Sequence, residues 1–227
     1  MIPYRDDNPL FATPFVTWSL LAANLGLHIY RWFIPESDSF GLVLVYGAIP
    51  SQILSGNNLL SLFSSMYLHG DILHLAGNMM YLWVFADNVE NIMGSFKFFI
   101  FYHICGLGAA ATHILIDPTS SIPMIGASGA ISGVLGAYLL TFPRARISVV
   151  IPILFFLYTM RVPAFFVLGI WFVFQIVRGV GALGIGLQDG IAWFAHIGGF
   201  LVGSILLYFF RNPPRFRDNN FDDIYFE

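Results

Sequence analysis

Long uncharged apolar stretches alternate along the chain with short polar ones, and this pattern predicts its helices. A helix that crosses the roughly 30 Å hydrocarbon core of a bilayer needs about 20 predominantly apolar residues. The uncharged windows that approach or exceed this length are residues 8–30, 98–116, 118–143 and 190–210, with a shorter window at 72–86. A further stretch, 147–177, is apolar except for Arg161. The pattern is typical of a bundle of membrane-crossing helices.

The stretch from about 35 to 70 is hydrophobic but poorly suited to crossing. Its mainly apolar runs, 42–46 and 59–63, are five residues each and are separated by glycine, proline and asparagine. Irregular backbone that faces lipid leaves polar groups unsatisfied. We interpret this stretch as a large outer loop between the first and second spans, lying on the membrane interface or partly sunk into it.

Lysine and arginine residues indicate the orientation of the chain. With six spans and a cytoplasmic N-terminus, eight basic residues fall on the inner side and two on the outer side, and such a bias marks the cytoplasmic face. The inner residues are Arg5, Lys97, Arg144, Arg146, Arg161, Arg211, Arg215 and Arg217, and the outer ones are Arg31 and Arg178. Both termini are then cytoplasmic, with an N-terminal segment over 1–12, a membrane domain over 13–210 and a polar tail over 211–227.

Composition narrows the function classes. Hydrophobic residues make up 57% of the 227 residues and charged residues only 10%, against about 25% charged in globular domains. A soluble fold could not bury so much apolar surface, and a net charge of −3 with no basic block argues against a nucleic-acid partner. The single cysteine, Cys105, excludes an intramolecular disulfide, and neither C-x-x-C nor H-E-x-x-H occurs. We therefore predict an integral membrane protein with no metal and no cofactor.

Three polar clusters interrupt the apolar windows, where polar groups are costly and often functional. The first contains His69, His74 and Asn78, of which the last two share a helix face because they are four residues apart. The second is the run 126–133 around Ser128, and the third is 195–203 around His196. A purely structural interpretation is also open: glycines four apart pack membrane helices closely, and a single histidine or asparagine often bonds a neighbouring helix.

The depth of these side chains favours a shared site. Counting to the next inner charge gives separations of 16 residues from His74 to Glu90, 16 from Ser128 to Arg144 and 15 from His196 to Arg211. At about 1.5 Å per residue, all three side chains lie roughly 22–24 Å above the inner boundary. A nucleophile, a base and a hydrogen-bond donor are therefore predicted at one level.

This agreement in depth also indicates how many times the region 147–178 crosses the membrane. If that region crossed twice, the last span would run outward and His196 would lie at the opposite depth from Ser128. We therefore predict a fifth span at roughly 162–178 and an inner-side loop with interfacial character at 147–160. The resulting fold is all-α, a polytopic membrane protein with six transmembrane helices.

The run 126–129 with Gly133, the run 195–199 and the set His69, His74 and Asn78 together resemble the rhomboid family of intramembrane serine proteases, over about residues 46–203. The resemblance implies that Ser128 is the nucleophile and His196 its general base. It also implies that the Ser128 backbone N–H and the His74 and Asn78 side chains hold the oxyanion. With no acidic residue near His196 at the predicted depth, the pair is interpreted as a dyad.

One position departs from the family pattern, and one histidine has no role that the pattern implies. Some relatives place an aromatic residue one turn after the nucleophile, stacked under the catalytic histidine, whereas this chain has Ser132 there. His69 has no implied catalytic role, and we expect it to make a hydrogen bond that positions the loop.

The implied function is a serine endopeptidase that cleaves single-span or polytopic membrane-protein substrates in or near their transmembrane segments. Substrates would enter from the lipid bilayer through a lateral gate, for which the fifth span and the glycine-rich stretch 179–189 are the candidates. Because the N-terminus does not resemble a transit peptide, we expect a prokaryotic cell (inner) membrane. The alternatives are a non-catalytic rhomboid-like protein that binds membrane clients and a transporter or channel, although no inverted repeat is visible.

Overall fold

Helices form in each of the apolar windows. The computed structural model describes residues 1–153, 156–185 and 192–212. The long helices are α1 (Phe15–Trp32), α5 (Ile72–Met93), α6 (Ser95–Ile116), α7 (Ser128–Thr141), α8 (Ala164–Ile185) and α9 (Trp193–Phe210). Between α1 and α5 lie the shorter helices α2 (Glu36–Tyr46), α3 (Pro50–Leu54) and α4 (Ser61–Ser64), and then a 3₁₀ turn at Ser65–Tyr67. The segment predicted as a large loop is therefore partly helical.

Among the described residues, three helices are long and apolar enough to cross a membrane. They are α6, the part of α8 from Ala164 to Ala182, and α9. The apolar helix α7 has 14 residues and is shorter than a full crossing requires. The mostly helical structure is that of a polytopic membrane protein, and the number of six spans remains a prediction. Most of the predicted tail, 213–227, and residues 186–189 of the predicted gate lie outside the described residues.

The fold is mostly helical as predicted, but the predicted loop at 147–160 was wrong, because this segment belongs to a small β-sheet and the fold is therefore not purely α-helical. Strands β2 (Arg146–Ile153) and β3 (Phe156–Pro163) pair antiparallel, and β1 (Ile2–Arg5) pairs antiparallel with β2. The physical reason is a two-residue alternation within the apolar stretch, since Ile147 and Val149 are completely buried while Ser148 between them is half-buried. Counting apolar residues does not distinguish this period from that of a helix.

The centre of the helical bundle is α7, which packs against α9 through glycines. A Cβ atom added at Gly199 would collide with the carbonyl oxygen of Gly129, and one added at Gly203 would collide with the backbone of Gly133. The two helices therefore touch through their backbones, as small residues four apart allow. This contact brings the first turn of α7 next to the first turn of α9.

Hydrogen bonds fasten the N-terminal part of the chain to the end of the bundle where α5 and α7 finish, opposite the first turns of α7 and α9. Glu90, which is buried, accepts hydrogen bonds from the Val16 and Thr17 N–H groups at the start of α1. Asp6 accepts from the Tyr138 hydroxyl at 2.6 Å and from Asn88 at 2.8 Å, and its burial raises the pKa of its carboxyl above the usual value. The first residues, the last turns of α5 and α7 and the sheet thus lie on one side of the molecule.

Candidate active site

Ser128 and His196 are in hydrogen-bonding contact. Ser128 is the first residue of α7, and its Oγ lies 2.8 Å from Nε2 of His196 in the first turn of α9. The turn before α7 requires Gly126, whose φ of +120° is rarely adopted by other residues. Two side chains that are 68 residues apart in sequence therefore meet because glycines shape the turn and allow the close approach of the two helices.

The other ring nitrogen of His196 is bound by a residue that the sequence interpretation did not assign to the site. Nδ1 lies 2.8 Å from Oε1 of Gln175, a buried side chain on α8. Carboxylates are the usual partners of a catalytic histidine, and a neutral amide in an apolar helix does not stand out as one from the sequence. The available signal was the spacing of Trp171 and Gln175, which lie four residues apart on one face of an otherwise apolar helix.

Aromatic rings enclose the imidazole of His196. The ring of Trp171 lies 6.1 Å away at an interplanar angle of 36°, and that of Trp193 lies 6.2 Å away and edge-on. Ser132, which occupies the position where some relatives have an aromatic residue, donates instead to the Ser128 carbonyl oxygen at 2.7 Å. The aromatic contact with the histidine is therefore supplied by α8 and α9 rather than by α7.

The first turn of α5 is fixed by a carboxylate cap. Asp71 accepts hydrogen bonds from the N–H groups of Leu73 and His74, both at 2.8 Å. These bonds, that from His74 foremost, hold the pKa of the exposed Asp71 carboxyl below its usual value. The cap satisfies N–H groups that a helix start leaves free and sets the direction in which His74 projects.

His74 and Asn78 flank the backbone that leads to Ser128. A Cβ atom added at Gly126 would lie 2.7 Å from Nε2 of His74 and 3.5 Å from Nδ2 of Asn78. Asn78 Nδ2 lies 2.8 Å from Nε2 of His69, whose ring meets that of His74 edge-on at 5.1 Å. All four predicted site residues therefore lie in one region of the structure, with His69 in contact with Asn78.

One cavity joins these groups. It has a volume of about 930 Å³, and the four predicted site residues line it together with Trp171 and Trp193. His113 also lines this cavity. In the described part of the chain, no group of three or more histidine, cysteine or acidic side chains could hold a metal ion. The arrangement offers a hydroxyl, a neighbouring imidazole and donors beside a space that can hold a substrate segment.

These features define a membrane protein with a serine–histidine pair beside a cavity, and comparison with known proteins gives its family. The family model of the Rhomboid domain matches residues 56–213. The chain belongs to the rhomboid family, as the three polar clusters predicted.

Curated relatives include proteins from mitochondria and from bacteria. The chain is 29% identical to Rhomboid protein 1, mitochondrial, of Saccharomyces cerevisiae over 82% of its own length and 52% of that protein's. It is 29% identical to RHOMBOID-like protein 6, mitochondrial, of Arabidopsis thaliana over 72% of its own length and 48% of that protein's. It is 31% identical to Rhomboid protease GluP of Bacillus subtilis over 60% of its own length and 25% of that protein's. The chain thus spans about half the length of these relatives, or less.

Proposed function

We propose that this chain is an intramembrane serine endopeptidase that hydrolyses peptide bonds in or near the transmembrane segments of other membrane proteins. The observation that carries the proposal is the 2.8 Å contact between Ser128 Oγ and His196 Nε2 at the wall of a cavity. A serine hydroxyl is a weak nucleophile alone and is activated by an adjacent base. Membership of a family that includes a named protease supports the same interpretation.

The reaction follows from the positions of these groups. His196 Nε2 takes the hydroxyl proton while Ser128 Oγ attacks the substrate carbonyl carbon, forming a tetrahedral intermediate. The imidazolium then gives its proton to the departing amine, and an acyl-enzyme remains. A water molecule, deprotonated by the same imidazole, releases the second product and restores the serine.

The oxyanion of the intermediate needs hydrogen-bond donors. The Ser128 backbone N–H belongs to the first turn of α7, where such groups have no partner within the helix. We propose that it acts together with the side chains of His74 and Asn78, which flank the preceding turn. A preorganised donor of this kind contributes about 2.7–4 kcal/mol to transition-state stabilisation.

The membrane topology completes the proposal. We propose six spans formed by α1, α5, α6, α7, α8 and α9, with residues 35–70 outside and both termini in the cytoplasm. Substrates would reach the cavity from the lipid bilayer past α8, most of whose surface is not covered by other helices: only 28% of its membrane-crossing window is buried. For the compartment we propose a prokaryotic cell membrane, and the names of two relatives make a mitochondrial membrane the competing location.

The test is proteolysis by the purified protein in detergent or liposomes. A panel of single-span substrates is incubated with the wild type and with the variants Ser128→Ala and His196→Ala, and serine reactivity is measured with a fluorescent phosphonate. Both variants should lose cleavage and labelling, because each lacks a reacting group, while their thermal unfolding stays close to that of the wild type.

Ser132→Ala is the matched control, because Ser132 lies on the same helix and lines the same cavity, and its hydroxyl donates to the Ser128 backbone carbonyl rather than to a reacting side chain. It should label and cleave much as the wild type does. Undiminished cleavage by Ser128→Ala would contradict the proposal. A folded wild type that neither cleaves nor labels would instead support the non-catalytic, client-binding alternative.

A further inference from the structure

Gln175 is a buried polar side chain in a helix that is otherwise almost entirely apolar. Between Ala164 and Ala182, only Gln175 and Arg178 carry strongly polar side chains. Gln175 is only 4% exposed, and its Oε1 lies 2.8 Å from Nδ1 of His196. A polar group buried among apolar side chains is costly unless it is hydrogen-bonded, and polar residues in membrane helices are often functional. Helix packing alone does not explain why α8 has an amide at this position.

The contact determines which tautomer His196 can adopt. A neutral imidazole carries one N–H, and its other nitrogen accepts. If Nε2 is to accept the hydroxyl proton of Ser128, the hydrogen must reside on Nδ1. The N–H at Nδ1 then donates to the amide oxygen of Gln175. With the opposite tautomer, Nε2 would carry the hydrogen and could not act as the base.

We propose that Gln175 is the positioning residue of a Ser128–His196–Gln175 triad. Its amide oxygen holds His196 with Nε2 unprotonated and directed at Ser128. This inference rests on the proposed proteolytic function and adds a third member to the dyad predicted from the sequence. An aspartate plays this part in many serine hydrolases, and an asparagine in papain-like cysteine proteases.

The surroundings explain why an amide can serve here. A buried carboxylate would have to be desolvated in an apolar environment, whereas a neutral amide offers an acceptor without burying a charge. The rings of Trp171 and Trp193 already restrict the imidazole. Gln175 therefore selects the nitrogen that faces Ser128, and its carbonyl dipole favours the imidazolium formed during the reaction.

The experiment compares two replacements of similar length. Gln175→Met removes the acceptor, and Gln175→Glu keeps an accepting oxygen in either protonation state. Per folded protein, Gln175→Met should lower kcat and the rate of phosphonate labelling roughly 10- to 100-fold, the range typical of losing the hydrogen-bond partner that orients a metal-bound histidine, with a smaller change in KM. That loss is less than the about 10⁴-fold expected for a charged triad member, because Gln175 is neutral. Gln175→Glu should recover most of the labelling rate.

Asn24→Leu, which removes a buried amide of α1 that does not line the cavity, is the control and should label at the wild-type rate. The inference is overturned if folded Gln175→Met labels as fast as the wild type, or if Gln175→Glu is as impaired as Gln175→Met. If Gln175→Met does not fold, Gln175→Glu is compared instead with Gln175→Asn, whose shorter side chain withdraws the oxygen by one methylene. Equal labelling rates of these two variants overturn the inference. A wild type that neither labels nor cleaves would refute the proteolytic function itself, a separate outcome.

Discussion

Within the described residues, the side-chain amide of Asn78 makes one hydrogen bond and has the capacity for a second. Its Nδ2 donates to Nε2 of His69 at 2.8 Å, which uses one of the two amide hydrogens and fixes the orientation of the amide. In the proposed mechanism the remaining hydrogen donates to a substrate oxygen in the cavity that Asn78 lines. We propose that His69 positions this donor, because its ring nitrogen holds the nitrogen end of the amide.

Removing this donor should affect the transition state more than substrate binding. Asn78→Ala is expected to lower kcat by about 10- to 10³-fold with a smaller change in KM. His74→Ala should be at least as harmful, and the double variant should lose less than the product of the two, because both donors act on one charge. Steady-state cleavage kinetics and phosphonate labelling measure these effects.

The control for this series is Asn24→Ala, which removes a buried amide of α1 that does not line the cavity. It should leave kcat near that of the wild type. A change in KM alone, or a loss of thermal stability alone, for Asn78→Ala would make Asn78 a packing residue and exclude it from the oxyanion site.

For single residues, the sequence predicts a place in the site only where the residue belongs to a recognisable pattern. Ser128 and His196 were selected by depth counting, and the structure brings them into contact. Gln175 could not be selected by the same reasoning, because the direction of a side chain on α8 depends on how that helix rotates against α9. The His69–Asn78 hydrogen bond could not be predicted from the sequence either, because His69 lies before the start of α5, where no helical spacing applies.

Among the helices, the contact of α7 with α9 determines whether the site can form. Glycines on both helices face backbone atoms of the other helix, so that even one methyl group has no room at Gly203. The sequence showed these small residues four apart but could not decide between simple packing and a site. In the structure the packing creates the site, because it brings the first turns of the two helices together.

Gly203→Ala should therefore push α9 away from α7. We expect a loss of about 1–3 kcal/mol in the free energy of unfolding, typical of overpacking, together with slower phosphonate labelling. Gly203 lies seven residues, or two turns, after His196, so any effect on labelling acts through the position of the helix. Thermal unfolding followed by tryptophan fluorescence, combined with the labelling rate, tests this.

Gly169→Ala on α8 is the matched control, because an added Cβ atom there meets nothing within 4 Å. Its unfolding temperature should be unchanged or slightly raised, since alanine has the higher helix propensity. Equal stability of Gly203→Ala and the wild type would show that the two helices can separate without cost, contrary to the close contact described above.

In the whole molecule, the hydrogen bonds that hold the first residues of the chain and Asn212 lie at the end of the bundle opposite the candidate active site. The chain just after α9 is linked to the α5–α6 junction, since Lys97 donates to Asn212 at 2.7 Å and Asn212 donates to the Met93 carbonyl. The sheet lies at this same end because β2 follows α7. Within the described residues, the basic side chains of this end are six of those assigned to the cytoplasmic side from the sequence: Arg5, Lys97, Arg144, Arg146, Arg161 and Arg211.

The sheet decides how the region between α7 and α8 relates to the membrane. In the described structure β3 is an edge strand, and the N–H and C=O groups of its outer edge have no sheet partner. Such groups cannot be satisfied in hydrocarbon, so β2 and β3 cannot cross the bilayer as a lone hairpin. We expect the hairpin to lie at the inner interface.

Single-cysteine labelling in a Cys105→Ser background tests this topology; Cys105 is completely buried and is the only cysteine. Thr159→Cys on β3 and Asn57→Cys between α3 and α4 are both at exposed positions. A membrane-impermeant maleimide should label Asn57→Cys in right-side-out vesicles and Thr159→Cys only in inverted ones. Labelling of Thr159→Cys from outside would require a seventh crossing. It would then reverse α9 relative to α7, which is incompatible with the contact between Ser128 and His196 at the first turns of both helices.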